Sequence, residues 1–198
     1  MLRNSHTAYG LVAIIFHWTI ALLFLGQIGL GYLTQATSST PRLQFELYQW
    51  HKSFGFLVLL LAIVRLGWAL SGIKPKAVAG TSRLEALAAN LTHSILLAAT
   101  ILVPLTGWAI ASTSPLMIPS FAFNLLLIPD LPLARSDAAE TLWSEIHAFL
   151  AYATGVLAAA HAGAALHHQV ARRDGTLTRM LAPRAERPRP GPSEHRDA

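Results

Sequence analysis

Four apolar stretches, each long enough to cross a lipid bilayer, dominate this chain of 198 residues and narrow what it can become. A hydrocarbon core about 30 Å thick is crossed by about 20 helical residues. Runs of that length occupy roughly residues 10–33, 48–70, 87–111 and 143–167. Lipid offers the backbone no hydrogen-bond partner, so spans of this length must be helices that satisfy their own amides. The expected fold is therefore all-α: an integral membrane bundle of four transmembrane helices. Charged residues make up only 13% of the chain, against about 25% in soluble domains.

The segments between the spans are punctuated by polar residues, glycine and proline. Residues 34–41 read as a polar linker, and 71–82, with Gly72, Pro75 and Gly80, as a loop. Pro104 lies inside the third span and predicts a kink that neighbouring helices tolerate in a membrane. The longest connection, 113–140, holds Pro115, Pro119, Pro129 and Pro132, which excludes a fifth regular span. Within it, 121–128 is expected to form a short interfacial helix. Residues 1–183 form one membrane domain, and 184–198 read as a disordered basic tail. The apolar run from Leu11 is too long for the core of a cleaved signal peptide, and no small-x-small site follows it. Cysteine is absent, which removes disulfides, iron–sulfur clusters, thiolate zinc sites and thioether-linked haem.

Charge sets the expected orientation. Arg3, the loop with Lys74, Lys76 and Arg83, and the segment from Arg172 to Arg196 hold eleven of the fifteen Lys and Arg. The other two connections hold Arg42 and Arg135, with Lys52 at a helix mouth. Positive residues mark the cytoplasmic side, so both termini are expected there. Trp50, Trp68, Trp108 and Trp143 fall near span ends, as interfacial aromatics do. The basic segments predict contact with anionic membrane lipid and not with nucleic acid.

Histidine carries the chemistry. Of nine histidines, His17, His51, His93, His147 and His161 lie within or at the ends of spans, where ionisable residues are costly and usually functional. The up-down topology puts His17 and His161 about two turns in from the inner face, on the first and fourth spans. It puts His51 and His147 near the outer ends of the second and fourth. His147 and His161 are fourteen residues apart, which on a helix is four turns less about 40°, so they share a face about 21 Å apart. That separation excludes one shared metal site, whose ligands must converge on a single ion. It suits two planar cofactors stacked one per leaflet. Two opposed neutral imidazoles in an apolar slot suit haem iron, with both axial positions filled. A haem-free histidine proton relay is the competing reading. It calls for carboxylates within the spans, and only Glu46 and Glu145 come near, both at mouths.

Arg65 lies fourteen residues after His51, on the same face and about 21 Å deeper. No acidic side chain in the spans shares its depth, and a haem propionate would pair with it; snorkelling to the inner headgroups is the plainer account. Gly55 and Gly155 either make room for a macrocycle or let helices pack closely. His93, His167 and His168 cluster at the inner ends, where surface or packing roles suffice, although contact with a propionate, quinone or lipid phosphate is open to each. His6 and His195 read as solvated.

The elements Phe16-His17-Trp18, Trp50-His51-Lys52-x-x-Gly55, Trp143-x-x-x-His147 and the closing His161-x-x-x-x-x-His167-His168 together resemble the bacterial cytochrome b561 family. The stretch from Asp174 to Pro183 resembles that family's usual ending, and the likeness covers about residues 8–183. It implies a four-helix bundle in the bacterial inner membrane with two b haems. His17 and His161 would hold one haem and His51 and His147 the other, the pairing that depth gives independently. His93 matches a histidine common at the start of the third span. The resemblance further implies either a superoxide oxidase that reduces ubiquinone or the membrane subunit of a dehydrogenase or hydrogenase. The latter usually have an additional span, which is missing here. The expected activity is thus oxidoreductase: electrons pass from periplasmic superoxide to a quinone. Lys52 and Arg135 would steer a small anion to the outer mouth. A relay docked to a redox partner protein is the alternative.

Overall fold

The computed structural model describes residues 1–78 and 80–182; the expected tail 184–198 lies outside them. Four long helices account for most of the chain: α1 (Leu11–Ala36), α2 (Pro41–Ser71), α3 (Arg83–Thr113) and α4 (Asp137–His167). All four are long and apolar enough to cross a membrane. Each overruns the apolar stretch that marks it, because polar residues begin the helices. Pro41 takes the first helical position of α2, where its missing N–H costs nothing. Ser82 and Glu85 form a reciprocal capping box at α3. Ser136 accepts from the Ala139 amide to start α4. The expected linker 34–41 shrinks to the short turn between Ala36 and Pro41. α3 is assigned helical straight through Pro104.

The helices form an antiparallel ring in chain order. α1 packs on α2, α2 on α3 and α3 on α4, while α4 returns to α1 with a much sparser contact. Where α1 and α4 do meet, Gly155 lets Ile28 approach; a Cβ there would lie 3.1 Å from Ile28 Cδ1. The dry interior is small and centres on Phe24, Val58 and Val103. Large side chains such as Leu22, Leu60, Phe149 and Val156 point outward, as they do when lipid is the solvent on that face. Buried hydroxyls return their protons to their own helix: Thr34 to Leu30, Ser112 to Trp108, Thr113 to Ala109 and Thr154 to Leu150. Such back-bonding keeps polar groups satisfied without water.

One end of the bundle gathers the N-terminal segment, the α2–α3 loop and the segment after α4. Asn4 donates to the Ile73 carbonyl, the Lys76 amide to that of His6, Arg179 to that of Lys76, and Trp18 to that of Met180. Arg172 pairs with Glu85 across the same end. This is the end rich in Arg3, Lys74, Lys76, Arg83, Arg172 and Arg173.

The opposite end corrects the expectation of a short helix over 121–128. The chain there is a β-hairpin, β1 (Ser120–Ala122) antiparallel to β2 (Leu126–Ile128), with Ala122 paired to Leu126. The Leu125 amide bonds the Ala122 carbonyl, and Phe123 and Asn124 both have positive φ, 53° and 57°. That is the mirror-image turn that suits twisted hairpins. Asparagine takes this conformation readily, but phenylalanine does not. Tertiary packing holds Phe123 there: its ring sits 5.2 Å from Phe54 and 6.1 Å from Trp50. Ser53 completes the tether. Its hydroxyl lies 3.0 Å from the Phe121 carbonyl and accepts the Phe123 amide at 3.0 Å. Lys52 donates to the Pro119 carbonyl and Trp108 to that of Pro129.

Candidate cofactor site

Histidines from different helices meet at both ends of the ring. Near the hairpin end, His51 of α2 faces His147 of α4, with ring centroids 6.1 Å apart and planes at 79°. Near the basic end, His17 of α1 faces His161 of α4 at 6.3 Å and 72°. α2 and α4 stand across the ring from each other, so the first pair bridges its interior. The second spans the sparse α1–α4 seam. Both pairs are those that sequence depth predicts.

Glycines form the beds for the pair at the hairpin end. A Cβ on Gly31 would lie 3.2 Å from His51 Cε1, and one on Gly107 would lie 3.1 Å from His147 Cε1. A cavity of about 610 Å³ opens here, lined by both histidines and by Gly31, Gly55, Gly107 and Tyr48. That falls within the range of small-molecule sites, roughly 300–1,000 Å³. Gly55 thus serves the cavity and Gly155 serves helix packing, which separates two roles the sequence leaves open.

The two rings at the hairpin end are held differently. His147 Nδ1 lies 2.9 Å from the Val103 carbonyl and 3.0 Å from Thr106 Oγ1. A carbonyl can only accept, so Nδ1 carries the proton and the Nε2 lone pair is free. His51 Nδ1 is buried without a hydrogen-bond partner among the described residues. Gln27 instead donates to the His51 main-chain carbonyl at 2.8 Å.

At the basic end a third ring joins the pair. His93 lies 5.1 Å from His161, at 77°. Sequence reasoning gives His93 a surface or packing role; the fold makes it the neighbour of a paired histidine. Arg65 is half-buried, with His17, His93 and His161 nearby. None of the ion pairs among the described residues includes it. Tyr9 lies nearby: burial pushes its phenol up, while the Arg179 and Arg65 charges pull it back. His168 bonds Asp174 at 2.6 Å, away from the pairs. That bond, with those from Thr176, holds the Asp174 carboxyl down at about 2. His167 is exposed, its ring beside that of His168.

The expected pair of steering cations at the outer mouth is reduced to one. Arg135 is bound to Asp130, five residues away in the same loop. Lys52 remains without a carboxylate partner among the described residues, over the Tyr48 ring.

The donor set can be tested against a metal ion. A metal–imidazole bond is about 2.0–2.1 Å long, and the ring centre stands about 1.1 Å behind the nitrogen, so two imidazoles on opposite sides of one ion put their centroids about 6.3 Å apart. The observed 6.1 and 6.3 Å fit that spacing. His93, at 5.1 Å from His161, is too close to be its partner across an ion. Among the described residues no group of three or more His, Cys, Asp or Glu is placed to hold an ion, so an ion between two imidazoles would need further donors from elsewhere, which a porphyrin supplies.

The sequence profile of the prokaryotic cytochrome b561 family matches residues 8–183, nearly the whole described chain. This chain belongs to that family. Its members are membrane electron-transfer proteins that generally bind haem b, and the paired imidazoles of this cytochrome have the chemistry for it. A curated relative, cytochrome b561 homolog 2 of Escherichia coli (strain K12), is 27% identical over 180 residues, covering 90% of this chain and 93% of its own. The cytochrome is a multi-pass membrane protein with four spanning helices.

Proposed function

We propose that this cytochrome binds two b haems, one between His17 and His161 and one between His51 and His147, and carries electrons through the bacterial inner membrane from the periplasmic face to quinone. The observation that supports this best is the pair of cross-helix imidazole spacings, 6.3 and 6.1 Å. When bound, haem supplies reversible one-electron iron chemistry. Held by two histidines, each iron would have no open position, which would favour electron transfer over dioxygen binding. The chain does the rest. His147 presents an unprotonated Nε2, because Val103 and Thr106 hold its other nitrogen. Gly31, Gly55 and Gly107 clear the outer slot. Arg65 supplies a positive partner for an inner propionate. The basic end, with both ends of the described chain, faces the cytoplasm by the positive-inside rule. The hairpin end then faces the periplasm, where superoxide is the proposed donor and Lys52, without a carboxylate partner among the described residues, is the cation placed to attract it.

Haem content tests the ligand assignment. The purified parent should hold two haems per chain. His51→Ala and His161→Ala should each remove one, and the double variant both. A colourless folded parent would sink the reading in favour of a haem-free histidine relay. Stopped-flow mixing with superoxide tests the donor: haem reduction faster than superoxide's own decay, followed by reoxidation by added ubiquinone, is the expected result. Absence of reduction, or co-purification with a soluble dehydrogenase that supplies the electrons, would replace superoxide with a partner protein.

A further inference from the structure

The two outer histidines are inequivalent, and the difference lies in α3, which supplies neither of them. His147 Nδ1 points into a closed triangle. The nitrogen lies 2.9 Å from the Val103 carbonyl and 3.0 Å from Thr106 Oγ1, and Thr106 Oγ1 donates to the same carbonyl at 2.7 Å. Because the hydroxyl proton is committed to Val103, a lone pair of Oγ1 is left for the Nδ1 proton. The Val103 carbonyl belongs to the peptide bond before Pro104. Thr106 is 8% exposed, so water does not compete. The next residue, Gly107, lets the ring come down onto α3; any Cβ there would crowd Cε1 and Nδ1. One turn of helix therefore provides two acceptors and the clearance. His51 has no counterpart: its Nδ1 is buried and unpartnered among the described residues.

We propose that Thr106 is a positioning residue for the outer haem: its hydroxyl, with the Val103 carbonyl, fixes the rotation and proton position of His147 and so sets that haem's spectroscopic and redox character apart from the inner one. This rests on the ligand assignment proposed above. The physics is that of outer-shell partners at metal sites. A hydrogen bond from the distal nitrogen fixes ring orientation and raises the basicity of the ligating nitrogen, which favours the oxidised metal. Orientation matters separately, because the angle between two axial imidazole planes controls the splitting of the iron d orbitals. The outer rings stand at 79°, the near-perpendicular arrangement that gives ferric haem an electron paramagnetic resonance signal with one very large g value.

The experiment uses the full-length, haem-loaded protein in detergent, with Thr106→Val, Thr106→Ala and Thr106→Ser compared with the parent. The readouts are haem per chain, the ferric resonance spectrum and a potentiometric titration. The expected result is two haems in all four proteins. In the Val and Ala variants one of the two large-g signals should move to lower g, with an upward shift in potential for that haem alone. Thr106→Ser should restore both. If Thr106→Val fails to fold, Thr106→Ala, which removes the hydroxyl without adding bulk, decides. Signals and potentials unchanged in the Ala variant, or moved equally for both haems, would overturn the proposal. A parent without two haems would instead refute the ligand assignment, so the two failures are distinguishable.

Discussion

Gly107 offers the sharpest test of how tightly the outer slot is built. An alanine Cβ there would stand 3.1 Å from His147 Cε1, where ordinary contact begins at 3.4 Å, so the ring must yield by about 0.3 Å. It cannot yield freely, because its Nδ1 is bound to Val103 and Thr106 on the same helix. Metal–ligand distances hold to about ±0.2 Å, so one methyl group already exceeds the tolerance. Disturbing the support of a metal ligand typically costs about 10–100-fold in affinity, and Gly107→Ala should fall in that range for the outer haem. Gly107→Val adds two more carbons in the same direction and should lose that haem outright, leaving one per chain. Gly67→Ala is the control, since a Cβ there meets nothing within 4 Å. Haem per polypeptide and the reduced-minus-oxidised spectrum report both. Two haems and a parental spectrum in Gly107→Val would refute the reasoning. So would equal loss in Gly67→Ala, by showing that any added methyl group disturbs this bundle.

Two further predictions concern the ends of the bundle. Ser53→Ala removes a buried hydroxyl that accepts the Phe123 amide and contacts the Phe121 carbonyl; leaving such groups unpaired costs about 1–3 kcal/mol. The hairpin over 120–128 should then be cut by protease much faster than in the parent while haem content stays unchanged. Asp174 gives the segment after α4 an acid limit. Its carboxyl is depressed from 3.8 to about 2, first by the His168 hydrogen bond and then by Thr176. A depressed carboxyl stabilises the fold above its unfolded value and loses that contribution as pH falls. Hydrogen-exchange protection in this segment, taken relative to the intrinsic rate at each pH, should therefore hold above about pH 4 and fall between about 4 and 2. Asp174→Asn should abolish that step; a step of the same size in the variant would exclude Asp174 as its source.

What could be read along the chain was whatever depends on local periodicity and lipid. Twenty apolar residues must be a span, and a histidine's depth follows from its place in that span. The fourteen-residue interval between His147 and His161 puts both on one face of α4 without knowledge of any neighbour. The spans, the antiparallel order, both histidine pairs and the level of Arg65 followed from those facts. The hairpin did not, because Phe123 takes a left-handed conformation that its own sequence disfavours and that Trp50 and Phe54 make tolerable from α2. The loss of Arg135 as a free cation depended on how one loop folds back on Asp130. His93 beside His161, Gly31 under His51, and the clasp of Val103 and Thr106 on His147 all depend on the rotation of one helix against another. That rotation is set by side chains distant in sequence, so only the tertiary structure could decide which small or hydroxylated residue of a neighbouring helix lies behind each imidazole.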